Sequence, residues 1–246
     1  MNIGQLPLAM RWPHQQRFES YFVGDNGPTV ELLRSAAGVV DAGVAGTSWV
    51  FLSGAQSSGK SHLLIAACAA ASEAGRSAQY ISLRAHAGDP KGMGPATEEA
   101  IRALGGSDVL AIDDVDAIAG DRGAEHALFD LYNRCKVENS TMLFAAAQAP
   151  AHCGIGLPDL VSRLASCAQG PLKPLGDEQR REVVRARAHA RGVVLEDDAL
   201  EWLFTYTPRD LASLVRLVER IDRASLAAKR RVTIPFLKKL LAEDIA

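Results

Sequence analysis

The chain has 246 residues, 48% of them hydrophobic and 23% charged, with a formal net charge of −2. These are the proportions of a globular chain with one large domain, or a medium domain and a small one. The near-neutral balance, with a sequence pI of about 6.3, excludes a global attraction to nucleic acid or anionic membrane and predicts no direct sequence-specific DNA binding. No apolar stretch reaches about 18 residues, so no membrane span is expected. The four cysteines, at 68, 135, 153 and 167, include no C-x-x-C pair and read as reduced, buried thiols. With no charged-then-apolar leader, the expected location is the cytoplasm.

Residues 1–13 contain Pro7 and Pro13, which break a regular helix, yet they carry Leu6, Leu8, Met10 and Trp12. Such a stretch either folds back on the domain or offers Gln5, Leu6 and Leu8 to a partner's pocket as an extended peptide. Residues 14–28 combine Phe18, Tyr21, Phe22 and Val23 with the turn-rich Gly24-Asp25-Asn26-Gly27-Pro28. Ahead of a phosphate loop this segment is a candidate wall for a purine base; the plainer alternative is a turn with buried aromatics. Apolar spacing then predicts a helix over 29–43, ended by Gly43 and Gly46.

Residues 49–66 carry the strongest signal. The apolar run Trp49–Leu52 leads without a gap into Gly54-Ala55-Gln56-Ser57-Ser58-Gly59-Lys60-Ser61, followed by the helix-forming His62-Leu63-Leu64-Ile65-Ala66. A strand, a glycine-rich loop and a helix N-terminus in this order suit a nucleoside triphosphate. Gly54 and Gly59 let the backbone close around an anion. Loop N–H groups and the helix dipole point at the β-phosphate, Lys60 reaches the β- and γ-phosphates, and Ser61 holds Mg²⁺.

A second strand is predicted over 77–83, an exposed loop over 84–95 and a helix over 97–104. Val109 to Ile112 then form a short apolar run that ends in Asp113 and Asp114, the mark of an interior parallel strand. Together with the phosphate loop, this pair suits metal binding by Asp113 and orientation or deprotonation of a water by Asp114. A helix over 124–137 and an apolar strand over 141–147, closing at Gln148, complete an alternation of strands and helices. Fold class follows: a mostly parallel, three-layer α/β sandwich with the ligand at the carboxyl ends of its strands.

Arg163 lies just after a short helical turn beginning near Pro158. It is either a solvated surface cation or, in an oligomerising NTPase, a group that reaches a neighbour's γ-phosphate. The run Gly170-Pro-Leu-Lys-Pro-Leu-Gly176 marks a boundary. The expected division is a peptide at 1–13, a nucleotide-binding α/β domain at 14–173 and an all-helical domain at 174–246. Arg209 opens the third helix of the last domain, where its charge opposes the helix dipole, which favours a phosphate contact over a plain surface role.

The complete loop continuing Gly59-Lys60-Ser61-His62-Leu63-Leu64, the strand ending Ile112-Asp113-Asp114 and the helical lid resemble the DnaA family of AAA+ P-loop NTPases. Gln5-Leu6-Pro7-Leu8, Gly156-Leu-Pro-Asp-Leu-Val-Ser-Arg163-Leu, and Ile221-Asp-Arg-Ala-Ser225 with Thr233-Ile-Pro-Phe236 are similar to its short Hda-type regulators. The resemblance covers essentially the whole chain, and no helix-turn-helix DNA-binding domain is expected after the lid.

It implies that Gln5, Leu6 and Leu8 bind the polymerase sliding clamp (its beta subunit). Arg163 is implied as an arginine finger offered to the AAA+ domain of DnaA, and Arg209 as a sensor of bound nucleotide. Phe22, Val23 and Asn26 are implied to line the adenine site, with Gly54, Gln56 to His62, ADP or ATP, and Mg²⁺ completing the cofactor set. The implied role is hydrolysis of DnaA-bound ATP, which prevents re-initiation, with a nucleotide-dependent homodimer or oligomer possible.

Two departures from the family pattern bear on hydrolysis by the chain itself. Ala145-Ala-Ala147-Gln148 stands where initiators carry a polar or acidic sensor, leaving Gln148 alone to serve. Asp114 stands where many active AAA+ enzymes have the longer glutamate. Both favour a held nucleotide over brisk turnover. The competing readings are a self-sufficient ATPase, such as a helicase loader, and a purely structural clamp-tethered scaffold.

Overall fold

The computed structural model describes residues 12–38, 49–86, 95–208, 210–228 and 232–242. Gln5, Leu6, Leu8 and Arg209 lie outside the described residues. The chain forms two compact units, one ending at Lys173 and the other beginning at Pro174.

In the first unit, β1 (Val50–Ser53), β2 (Ala78–Ser82), β3 (Val109–Asp113), β4 (Thr141–Ala146) and β5 (Ala168–Pro171) make one parallel sheet in the order β2-β3-β4-β1-β5. Every residue of β3 and β4 is buried, because each strand has a packed layer on both sides. Period-two alternation divides the side chains. Val50, Leu52, Val109, Ala111, Leu143 and Ala145 pack with α1 (Gly27–Ala36) and α2 (Lys60–Glu73). Phe51, Leu110, Ile112, Met142 and Phe144 turn the other way, toward α4 (Pro95–Arg102), α5 (Arg122–Val137) and α6 (Pro158–Ala165). The sandwich therefore has three layers.

Three local expectations change. Helix α1 stops at Ala36 rather than near 43: the N–H groups of Ala37 and Gly38 bond back to Leu33 and Ser35, and Gly38 leaves with φ 78°. The stretch expected to be loop from 84 begins instead as a short helix, α3 (Leu83–His86). The boundary run at 170–176 begins inside β5, which apolar periodicity cannot reveal because Ala168-Gln-Gly-Pro171 has almost no strand propensity. Pairing with β1 creates it: Ala168 N donates to Trp49 O at 2.7 Å and Leu172 N to Ser53 O at 2.7 Å. Pro171 is tolerated because β5 is an edge strand.

The second unit is helical: α7 (Asp177–His189), α8 (Asp197–Tyr206), α9 (Leu211–Ala228) and α10 (Ile234–Ala242). Val184, Leu200, Leu203, Phe204, Leu214, Val218, Ile221 and Leu237 form its own buried core. Arg191, in the turn just after α7, pairs with Glu219 of α9 at 2.9 Å. Among the described residues no helix is long and apolar enough to cross a membrane. All four cysteines are free and buried, and burial pushes the Cys68 thiol up to about 12. That is opposite to what a reactive thiolate needs.

Candidate nucleotide site

The loop between β1 and α2 leaves the carboxyl end of a central strand, and Gly54 N donates to Ala146 O at the end of β4. Gly59 is the N-cap of α2 with φ 95°. A Cβ there would lie 2.6 Å from a ring carbon of Tyr21, and one at Gly54 would lie 2.8 Å from Ser58 Oγ. Ser57 also takes a left-handed φ, 62°. A non-glycine residue held there marks a backbone shaped by the loop's function. Ser58 Oγ is buried with no hydrogen-bond partner among the described residues. A tight, side-chain-free loop at a fourteen-residue helix N-terminus, with an orphaned hydroxyl, fits a polyphosphate.

Lys60 Nζ donates to Gly54 O at 2.7 Å and Ala55 O at 3.0 Å, so its ammonium bridges the loop. Burial pulls its pKa down, while Asp113, Asp114 and Asp116 favour the charged form. The acids converge from β3 and the turn after it. Asp113 is buried, accepts from Tyr80 Oη at 2.9 Å and is hydrogen-bonded by Ser61. Burial raises its pKa, the Ser61 bond opposes that, and the Asp114 charge adds to it. Tyr80 is pushed up as well, by burial first and then by the Asp113 charge. The neighbouring Ser61 hydroxyl and Asp113 carboxylate are the hard oxygen pair that suits Mg²⁺, which takes few protein ligands beside phosphates.

Asp114 has left-handed backbone angles (φ 56°, ψ 45°), and its N–H donates to Asp113 Oδ1 at 2.9 Å. Ser82 Oγ donates to its Oδ2 at 2.9 Å, and Arg84 Nε to its Oδ1 at 3.3 Å. Arg84 was not foreseen. Only the β2–β3 register, with Ser82 opposite Asp113, brings it to this site. Gln148 is exposed beyond the end of β4, whereas Ala147 N donates to Asp116 Oδ1 at 3.3 Å.

The segment before α1 packs on the loop. Tyr21 Oη donates to Ser58 O at 3.3 Å, and its ring lies 5.4 Å from that of His62. His62 Nε2 is 2.9 Å from Arg17 O, so its side chain anchors this segment to the start of α2. Asn26 is buried and grips the backbone of Lys173 at two points, accepting from its N–H at 2.8 Å and donating to its carbonyl at 3.2 Å. Its side chain therefore shapes the wall from behind, while Phe22 is partly exposed and Val23 exposed.

Arg163 lies in the last turn of α6, inside the helix rather than after it. Its exposed guanidinium sits 5.9 Å from the Tyr132 ring centroid, and Tyr132 meets Trp49 edge-on at 4.4 Å. Trp49 precedes β1, whereas the phosphate loop follows it, so the contacts that anchor Arg163 lie at the opposite end of β1 from the loop.

A further residue, missed in sequence, is Glu125. It is 2% exposed and accepts backbone N–H bonds from Gly120 (2.9 Å), Gly156 (3.0 Å) and Leu157 (2.8 Å). It staples the turn after β3 to the start of α6. A glutamate three residues inside an amphipathic helix gives no sequence sign of this. Glu125→Ala removes the acceptor of three backbone donors that are themselves partly open to water, and is expected to cost roughly 2 kcal/mol in urea unfolding. Glu125→Gln, which keeps one acceptor oxygen, costs less.

A parallel sheet in this order, a phosphate loop after β1, paired acids after β3 and a helical lid unit define an AAA+ P-loop NTPase. Residues 13–170 match the family model for the bacterial DnaA ATPase domain, and residues 177–241 match that for the Hda lid domain. The chain belongs to the bacterial DnaA ATPase domain family. Among solved structures, domain III of the Thermotoga maritima replication initiation protein DnaA superposes with a TM-score of 0.76 at 20% identity. That match covers 95% of this chain and 98% of the other. AMPPCP-bound DnaA from Aquifex aeolicus gives 0.64 at 19% identity, covering 85% and 66%. The Thermotoga maritima RuvB Holliday junction branch migration motor gives 0.63 at 17% identity, covering 94% and 72%.

Proposed function

We propose that this chain is a nucleotide-bound AAA+ adaptor for regulatory inactivation of the replication initiator. It docks on the polymerase sliding clamp through Gln5, Leu6 and Leu8 and offers Arg163 to ATP held by the AAA+ domain of DnaA. The observation that carries this reading is the exposed Arg163, held over Tyr132, which packs on Trp49 at the end of β1 opposite the phosphate loop. An arginine so placed suits a neighbour's γ-phosphate, where it neutralises charge that develops as the bridging P–O bond breaks and water adds to phosphorus. The match of residues 177–241 to the Hda lid domain supports the regulatory over the initiator role.

In the chain's own site, ADP or ATP sits with its phosphates on the Gly54–Ser61 backbone. Lys60 exchanges the Gly54 and Ala55 carbonyls for phosphate oxygens. Tyr21 and the segment through Phe22 and Val23, backed by Asn26, border the base. Ser61 and Asp113 are the residues to hold Mg²⁺, which supplies charge neutralisation at the phosphates. Arg209 reports nucleotide state from the lid unit, and nucleotide favours a homodimer or oligomer. With Gln148 as the only polar side chain in the Ala145–Gln148 stretch, the chain holds nucleotide and hydrolyses it weakly.

The test is hydrolysis of DnaA-bound ATP on clamp-loaded DNA. The wild type is expected to stimulate it, and a Gln5→Ala, Leu6→Ala, Leu8→Ala variant to lose both clamp binding and stimulation. Equal clamp binding by the two proteins would sink the peptide assignment. Rapid ATP turnover by the isolated chain would favour a self-sufficient ATPase instead.

A further inference from the structure

Three rings lead from the sheet to Arg163. Phe51 of β1 lies 6.4 Å from Phe144 of β4, centroid to centroid, with the ring planes 28° apart. Phe144 lies 6.3 Å from Tyr132 of α5 at 14°, and the guanidinium carbon of Arg163 is 5.9 Å from the Tyr132 centroid. Trp49 braces Tyr132 edge-on at 4.4 Å and is itself held by donating from Nε1 to Ser140 O at 2.9 Å. Tyr132 is 5% exposed, so close packing gives its ring one place. The backbone under the arginine is tied to the same ring. Ser166 Oγ donates to Arg163 O at 2.6 Å and accepts from Tyr132 Oη at 3.4 Å. Among the described residues the Arg163 guanidinium makes no hydrogen bond or ion pair, and its contact is the ring.

A free arginine side chain spreads over many rotamers, and a group that must reach one of them in a transition state gives up that freedom at each turnover. A contact through the face of an aromatic ring holds the cation, while its N–H donors stay open to phosphate oxygens. We propose that Tyr132 is a positioning residue for Arg163: its ring, fixed by Phe144 and Trp49, holds the guanidinium in the arrangement that meets a neighbour's γ-phosphate. The proposal rests on the arginine-finger reading above and adds what orients the finger. Arg163 is exposed, so the ring contributes a small factor and not the whole effect of the arginine.

The test is single-turnover hydrolysis of DnaA-bound ATP on clamp-loaded DNA. The full chain is titrated to saturation, so that the maximal rate and the half-saturating concentration are read separately. Tyr132→Phe keeps the ring face and is expected to match the wild type. Phenylalanine carrying one, two or three ring fluorines at position 132 keeps the ring's shape but drains its face of negative charge. The maximal rate is expected to fall in that order, to roughly a half to a fifth of the wild-type value, with half-saturation unchanged. Packing alone would not follow the fluorine count. A maximal rate that ignores fluorination or rises with it, while Arg163→Ala still removes stimulation, overturns the role of Tyr132 and leaves the arginine finger standing. Full stimulation by Arg163→Ala overturns the finger, and this role with it.

Discussion

Arg163→Ala is expected to reduce stimulation of DnaA-bound ATP hydrolysis to background, a loss of about a thousandfold at full stimulation, the lower range for an arginine finger supplied in trans. The same change is expected to leave the chain's own nucleotide Kd within about twofold, because the anchor of Arg163 is Tyr132 on α5, which packs against Trp49 at the amino end of β1. A single-turnover assay of DnaA-bound ATP, run beside a nucleotide titration of the variant, separates the two quantities. Arg163→Lys retains a charge on the same helix face without the planar fork, and is expected to recover only a small part of the activity. Full stimulation by Arg163→Ala would remove the arginine-finger assignment. Glu125 gives a related expectation: by fixing Gly156 and Leu157 it sets where α6 starts, so weakening it lowers stimulation without touching Arg163.

Lys60→Ala is expected to weaken ATP and ADP binding roughly a hundredfold, the scale of losing charged hydrogen bonds in a partly desolvated site. Among the described residues the hydrogen bonds of Lys60 Nζ go to two loop carbonyls, Gly54 O and Ala55 O, and the ammonium is only half-buried, so these carbonyls can be rehydrated. Its removal should therefore change intrinsic stability little. The sharper readout is the thermal shift. Wild-type Tm rises with added nucleotide as the native state is preferentially bound, and the variant's does not. An unchanged nucleotide Kd in Lys60→Ala would show that Gly54–Ser61 is not the phosphate site.

Much of this protein was legible because its signals are local. Gly54 and Gly59 announce a backbone that must close on an anion, and each has a neighbour that would collide with a Cβ. The apolar run at Val109–Ile112 marks a buried strand by length and β-branching, and its register then delivers Asp113 to the same strand edge as the loop. The lid helices follow from 3.6-residue spacing at Leu214, Val218 and Ile221. Where single residues do two jobs, local pattern misleads. His62 stands in the motif, yet its ring serves Arg17 O; Asn26 stands in the expected base wall, yet its amide clamps Lys173.

The sequence alone thus determined the strand-loop-helix core, the acid pair and the helical lid, because each is written in consecutive or periodically spaced residues. Tertiary structure alone decided the rest. β5 exists because β1 offers it hydrogen bonds, not because Ala168-Gln-Gly-Pro171 prefers extension. Glu125 became a staple and Arg84 a bridge because the sheet order β2-β3-β4-β1-β5 and the packing of α5 bring together backbone and charge separated by about thirty residues. Long-range pairing of that kind leaves no period in a sequence. It is set by which strand lies beside which, and so is where the phosphate loop finds its acids.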